Sequence, residues 1–301
     1  MAVSNTPRHL DRLDNPDPDW FVQEYVVKQR PAVITGVASS WSAMRWSPDY
    51  FRTAFAGAAI RYETWDGDES INDPLEFQDK QVFVESTMAE FVDLMRQGSR
   101  PSRKHYCAQF RIFDVLPQLR RDFPPMERYM GFSRLYPARL QKLLQIAPFL
   151  WLGPAGVIST LHFDRSHNFF VQIHGRKKWI HIPPEQSDHL YFPCAGFNAG
   201  LFHFSPVDPE HPDLERWPLY ARAEPIETIV EPGELVFTPA GWWHHVRALD
   251  TSISMNFFWQ LPLDNALALR RYLLLLARRK VLSTLGLDAL IESFEAVGRR
   301  R

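Results

Sequence analysis

Cysteine is nearly absent from this chain: 301 residues hold two, Cys107 and Cys194. Two thiols supply no disulfide framework and no Cys-x-x-Cys pair. They read as free thiols of a reducing compartment. Charge of one sign is also lacking, since 34 Lys and Arg face 35 Asp and Glu for a formal net charge of -1. That balance leaves no basic field to draw in nucleic acid, so a nucleic-acid partner is disfavoured. Long apolar runs are missing as well. The longest aliphatic run, Leu273 to Ala277, is far too short to cross a bilayer. The opening MAVSNTPRHLDRLDNPDPDW has no apolar core of the kind a secretory signal needs. Repeats and low-complexity tracts are absent too. The expectation is a soluble cytoplasmic protein.

What the chain does have is aromatic residues, at 14%, and enough length for one large β domain with helical additions. Pro18 to Lys28 carries Phe21, Val22, Tyr25 and Val26 at helical spacing. Ser47-Pro48-Asp49 predicts an N-cap with proline at the first helical position. Thr87-Met88-Ala89-Glu90 fits a capping box that opens another helix. From Tyr106 the pattern becomes rich in strands. Asn168 to Ile173 and Arg176 to Ile182 are apolar runs separated by His174-Gly175, which predicts a hairpin. Thr228 to Val230, Leu235 to Thr238 and Ile253 to Phe258 add strands. Between Glu185 and Ala223 lies a long proline-containing segment, a candidate functional insertion. Many short strands joined by such turns predict a sandwich or barrel.

The most informative motif is His162-Phe163-Asp164, followed far downstream by Trp242-Trp243-His244-His245. Residues two apart on a strand point to the same side. A histidine from a distant strand would complete a 2-His-1-carboxylate set, which leaves one face of an octahedral metal open. Non-heme Fe(II) oxygenases use that geometry. An isolated HxD is common, so the flanks decide its weight. Trp151 to Pro184 and Glu231 to Trp259, with the upstream segments Arg30 to Trp41 and Tyr106 to Leu119, together resemble the Jumonji C hydroxylases of the cupin superfamily. The likeness is to the small members without chromatin-reading modules, such as the asparaginyl hydroxylases, and covers roughly residues 30 to 260.

The resemblance implies a mainly β fold with added helices, the double-stranded β-helix or jelly-roll. Residues 1–100 would form an N-terminal extension packed on the barrel, 101–262 the catalytic domain and 263–301 C-terminal helices. It implies Fe(II) held by His162, Asp164 and His244, because the family ligand follows the paired aromatic residues directly. Alternation sends His245 to the opposite side, where it reads as a partly buried histidine bonded to backbone. His167, His174 and His181 read as strand or turn residues. The resemblance further implies 2-oxoglutarate and O2 as co-substrates. Lys177 would pair with the far carboxylate, while Lys178 points away. Tyr106 and Ser159 would bind the same carboxylate, with serine standing where the asparaginyl hydroxylases have threonine. Asn168 and Asn256 would line the metal and the near carboxylate. Trp151 and Trp259 fit either a pocket wall or plain core, and Gln109 is a candidate to face the substrate.

The implied reaction couples oxidative decarboxylation of 2-oxoglutarate, giving succinate and CO2, to hydroxylation of a C–H bond in a protein, peptide or small-molecule substrate. The first rival is N-methyl demethylation by the same chemistry, although family demethylases mostly carry HxE. The second is a cupin-fold binding protein without catalysis, and the third a cupin enzyme with more histidine ligands. After Pro262, Asp264 to Thr284 and a further segment to Val297 show apolar residues on more than one face. They fit either packing on the chain's own barrel or a homodimer interface of the kind related hydroxylases build.

Overall fold

The computed structural model describes residues 9–66, 82–96, 103–132, 137–192 and 203–261, together with six single positions between 270 and 284. Cys194 and the expected helices after Pro262 lie outside the described residues, those six positions apart. The strands in chain order are β1 (Asp11–Asp14), β2 (Ala32–Thr35), β3 (Ala59–Asp66), β4 (Val82–Thr87), β5 (Arg103–Phe110), β6 (Phe149–Gly153), β7 (Ile158–Phe163), β8 (His167–His174), β9 (Lys177–Ile182), β10 (Ile226–Val230), β11 (Leu235–Thr238), β12 (Trp243–Ala248) and β13 (Ser252–Trp259). They form a nine-stranded sheet, β1-β2-β11-β8-β13-β6-β5-β3-β4, and a four-stranded sheet, β10-β9-β12-β7. Phe170 and Val236 of the large sheet pack against Trp179, Val230 and Val246 of the small one. This is the jelly-roll arrangement that the sequence suggested.

Strand β8 explains why its sequence lacks a clean alternation. Its residues from His167 to Ile173 are all buried, because both faces of the large sheet are covered there. Phe170 faces the small sheet. Phe169, Val171 and Ile173 turn the other way, into a core shared with Phe21, Phe51 and Phe91 from the N-terminal elements. A strand buried on both faces reads as one apolar run.

The N-terminal helices start where the sequence places them. Ser47 Oγ accepts from Tyr50 N at 3.1 Å to cap α2 (Pro48–Ala54). Thr87 Oγ1 accepts from Glu90 N at 3.3 Å while the Glu90 carboxylate accepts from Thr87 N at 3.0 Å, closing the capping box of α3 (Met88–Arg96). The helix predicted after Pro18 is α1 (Pro18–Phe21), which widens to π geometry over Val22–Val26.

The predicted β8–β9 hairpin is a correction. The turn at His174-Gly175 lies between the two runs, but β8 pairs with β11 and β13, whereas β9 pairs with β10 and β12. The chain crosses from one sheet to the other at this corner. Gly175 has φ +66, and a Cβ there would stand 2.2 Å from the Thr251 carbonyl oxygen. A left-handed, tightly approached backbone position requires glycine. The segment after Glu185 is more ordered than a loop where it is described. Leu190, Tyr191, Val207 and Tyr220 pack on Leu161, Phe163, Ile180, Ile182 and Trp243, covering the outer face of the small sheet.

Candidate active site

His162 lies at the end of β7, Asp164 just beyond it, and His244 directly opposite His162 on β12. Strand alternation aims His162 and His244 inward while their neighbours Phe163 and Trp243 join the outer core. The potential ligand atoms of the three residues lie within 4.8 Å of one another, and His244 Nε2 is 3.5 Å from Asp164 Oδ2. The hydrogen bonds fix which nitrogens are free. His162 Nδ1 is 2.6 Å from the Thr160 carbonyl and His244 Nδ1 is 3.0 Å from the Trp242 carbonyl. A carbonyl only accepts, so Nδ1 carries the proton in both rings and each Nε2 keeps its lone pair for a metal. Burial, with His162 close by, pushes His244 well below its ordinary value, so its ring stays neutral. The donor set of two imidazoles, each with Nε2 free, and a carboxylate fits a divalent first-row metal with open positions.

Behind this triad sits a donor-rich cradle within about 390 Å³ of empty space that is continuous with solvent. Lys177, at the start of β9, is 1% exposed. Its Nζ donates to Tyr106 Oη and Ser254 Oγ, both at 3.1 Å. Burial without a carboxylate partner among the described residues pushes its ammonium down to about 7. The Tyr106 phenol is raised by burial and by the Glu63 carboxyl, against a hydrogen bond with Ser159. Asn256 Nδ2 donates to Asn168 Oδ1 at 3.0 Å. Among the described residues, three polar atoms on cavity-lining residues have no partner: Trp151 Nε1, Trp179 Nε1 and Asn256 Oδ1. A buried cation, three hydroxyls and two indole donors without partners fit a dicarboxylate, since buried polar groups otherwise cost stability.

Every residue read as a metal or co-substrate contact therefore lines one cavity: Tyr106, Ser159, His162, Asp164, Asn168, Lys177, His244 and Asn256. Gln109 and Trp151 also line it, whereas Trp259 belongs to the core against Phe169 and Phe237. Gln109 sits at φ +49, where the β5–β6 register slips, and this turns its exposed side chain to the cavity rim. Lys178 points away and pairs with Glu227 at 3.0 Å and Glu210 at 3.5 Å. His245 does lie on the far side of β12, but the expected backbone bond is a correction. Its Nε2 meets the Glu210 carboxylate at 3.1 Å, because the insertion brings that side chain in. His181 faces inward yet uses Nε2 on Thr238 Oγ1 at 3.0 Å.

Sequence reasoning missed Ser254, Trp179 and Phe204. Ser252, Ser254 and Asn256 alternate along an otherwise apolar β13, and that period-two polarity was an available signal. Trp179 follows Lys177 by two, so alternation alone places it on the same wall. It stacks on His244 with ring centroids 5.6 Å apart. Phe204 stacks on His162 at 5.3 Å, and nothing in its local sequence indicates this.

A family model described as a cupin-like domain matches residues 18–265. Among curated proteins, Lysine-specific demethylase 8 of Danio rerio is 30% identical over 261 residues, spanning 85% of this chain and 60% of that protein. Jumonji C domain-containing protein 5 of Drosophila melanogaster is 31% identical over 257 residues, spanning 83% and 60%. HSPB1-associated protein 1 of Homo sapiens is 27% identical over 248 residues, spanning 79% and 49%. The chain thus spans about half to three-fifths of the length of these relatives.

Proposed function

Since the chain belongs to the cupin-like family that contains these Jumonji C proteins, we propose that it is an Fe(II)- and 2-oxoglutarate-dependent dioxygenase. Its substrate would be a C–H bond of a protein or peptide side chain, or of a small molecule, with succinate and CO2 as co-products. One observation carries the reading: the His162–Asp164–His244 set and Lys177, a buried ammonium without a counter-charge among the described residues, share one cavity. Neither feature alone calls for a dicarboxylate that also chelates a metal; together they do.

The roles follow from position. His162, Asp164 and His244 would hold the iron, which with the co-substrate supplies the activation of O2. Lys177 would ion-pair with the far carboxylate, supported by Tyr106, Ser159 and Ser254. Asn256, with an oxygen that has no partner and an amide held by Asn168, would orient groups near the metal. Trp151, Phe170 and Trp179 wall the space and limit water.

A protein substrate is the preferred class, because relatives carry the name lysine-specific demethylase. That naming also supports a second reading, removal of an N-methyl group after hydroxylation of its carbon. Mass spectrometry of a protein extract treated with the Fe(II)-loaded enzyme separates the two. Gain of one oxygen on a side chain supports hydroxylation, and loss of a methyl group supports demethylation. Neither change, with no small molecule of the extract oxidised, would overturn the function. The reading also includes a cytoplasmic location and a homodimer through the C-terminal helices. Exposed Leu274 and Val281 support the dimer, and a monomeric mass by light scattering would remove it.

A further inference from the structure

The long segment after β9 packs on the outer face of the small sheet, next to both histidine-bearing strands. Strand β7 is the outermost strand of the small sheet, and it carries His162 along its outer edge. Residues 203–205 cover that edge: Phe163 N donates to the His203 carbonyl at 3.0 Å and Ser205 N to the Leu161 carbonyl at 2.8 Å. The bridge pairs His162 with Phe204. The Phe204 ring lies on the His162 ring, 5.3 Å between centroids and 26° between planes. Six residues on, Glu210 reaches the outer face behind the other ligand strand. Its carboxylate accepts from His245 Nε2 at 3.1 Å and Arg247 Nε at 2.5 Å, and Lys178 Nζ stands 3.5 Å away. Burial alone would raise this carboxyl, but the bonds from His245 and Arg247 bring it down to about 2. Glu210 thus ties β12 to β9 at the residue after His244, where the β7–β12 register breaks.

We propose that the segment His203–Glu210 is a brace for the metal centre, in which Phe204 sets the ring plane of His162 and Glu210 fixes the strand that carries His244. The physical case is that an imidazole has two freedoms, χ1 and χ2. The Nδ1–Thr160 bond restrains one direction of the His162 ring, and a stacked partner restrains the other. His244 obtains the same two restraints from Trp242 O and from Trp179. His162 sits on an edge strand with no indole of this kind stacked on it among the described residues, and the brace supplies that wall. Both residues are positioning residues and touch no reacting atom.

The inference rests on reading His162, Asp164 and His244 as metal ligands, and the test separates the two. Co(II) is titrated into the full chain, with affinity and the visible ligand-field spectrum as readouts and thermal unfolding of the metal-free protein as control. Phe204→Leu keeps the apolar volume and removes the ring. It is expected to leave the metal-free melting temperature nearly unchanged, weaken Co(II) about 10-fold or more and alter the spectrum. Phe204→Trp, which restores a stacking face, should recover most of the affinity. Glu210→Gln should weaken Co(II) about 10-fold. Wild-type binding with unchanged affinity and spectrum in Phe204→Leu and Glu210→Gln would overturn the brace and leave the metal site standing. Melting losses with unchanged affinity would assign both residues to folding alone, which also overturns it. No Co(II) binding by the wild type would overturn the metal reading itself.

Discussion

Lys177 gives the most quantitative handle on the site. Its ammonium is pushed down to about 7 from 10.5 by burial, with no counter-charge among the described residues. That displacement amounts to about 5 kcal/mol against the charged form. A dicarboxylate arriving beside it would restore the charge, so binding near pH 8 should take up close to one proton. The apparent Kd for 2-oxoglutarate should then rise about tenfold per pH unit above 7. His244 is neutral throughout this window, so its titration does not contribute. Lys177→Met keeps the length and removes the cation. Losing one partner of a buried charge pair costs about 2–5 kcal/mol of binding, and the proton uptake should vanish. In the free protein the effect has the opposite sense. The unfolded chain holds the Lys177 proton up to 10.5 and the folded chain only to about 7, so stability rises with pH across that interval. Lys177→Met should remove this slope and be more stable than wild type at pH 7. The assay is calorimetric titration of the Mn(II)-loaded protein in two buffers of different ionisation enthalpy, with chemical denaturation from pH 6.5 to 9.5. A Kd that stays constant over that range without proton uptake would refute the reasoning.

Three further outcomes follow from named contacts. His244→Ala should abolish metal binding, whereas His245→Ala should still bind metal, weakened no more than in Glu210→Gln because Arg247 still holds Glu210, and should cost about 1–3 kcal/mol of stability as Glu210 loses a buried partner; metal titration and melting of both variants check this. Gly175→Ala should destabilise by about 1–3 kcal/mol, since its Cβ would meet the Thr251 carbonyl at a left-handed φ, and denaturant unfolding reads the loss. Thr87→Ala should cost about 1 kcal/mol through its capping box, with no change in 2-oxoglutarate affinity.

The site was more legible than the path of the chain through it. His162 at the end of β7 and Asp164 just beyond it are two apart, so their common side follows from the pleat carried one residue on, and Lys177 and Lys178 are separated by the same rule. The downstream histidine needed the family likeness, since alternation says only that His244 and His245 face opposite ways. The β8–β9 corner was misread because two apolar runs around a glycine look alike whether the chain turns back within a sheet or crosses to the facing one. What decides is the approach of the Thr251 carbonyl, a contact 76 residues away in sequence. Ser254 was readable from period-two polarity on β13. The His245–Glu210 bond and the Phe204 stack were not, because both depend on how the insertion docks. A sandwich or barrel was legible from the spacing of short strands and their turns, and the jelly-roll itself needed the family likeness.

The most direct measurement is succinate formation from 2-oxoglutarate by the Fe(II)-loaded chain in a protein extract, with and without O2, for the wild type and Asp164→Ala. The account predicts succinate from the wild type only when Fe(II) and O2 are both present, and none above background from Asp164→Ala. Equal succinate from both proteins, or none from a wild type that binds Fe(II) and 2-oxoglutarate, would contradict it.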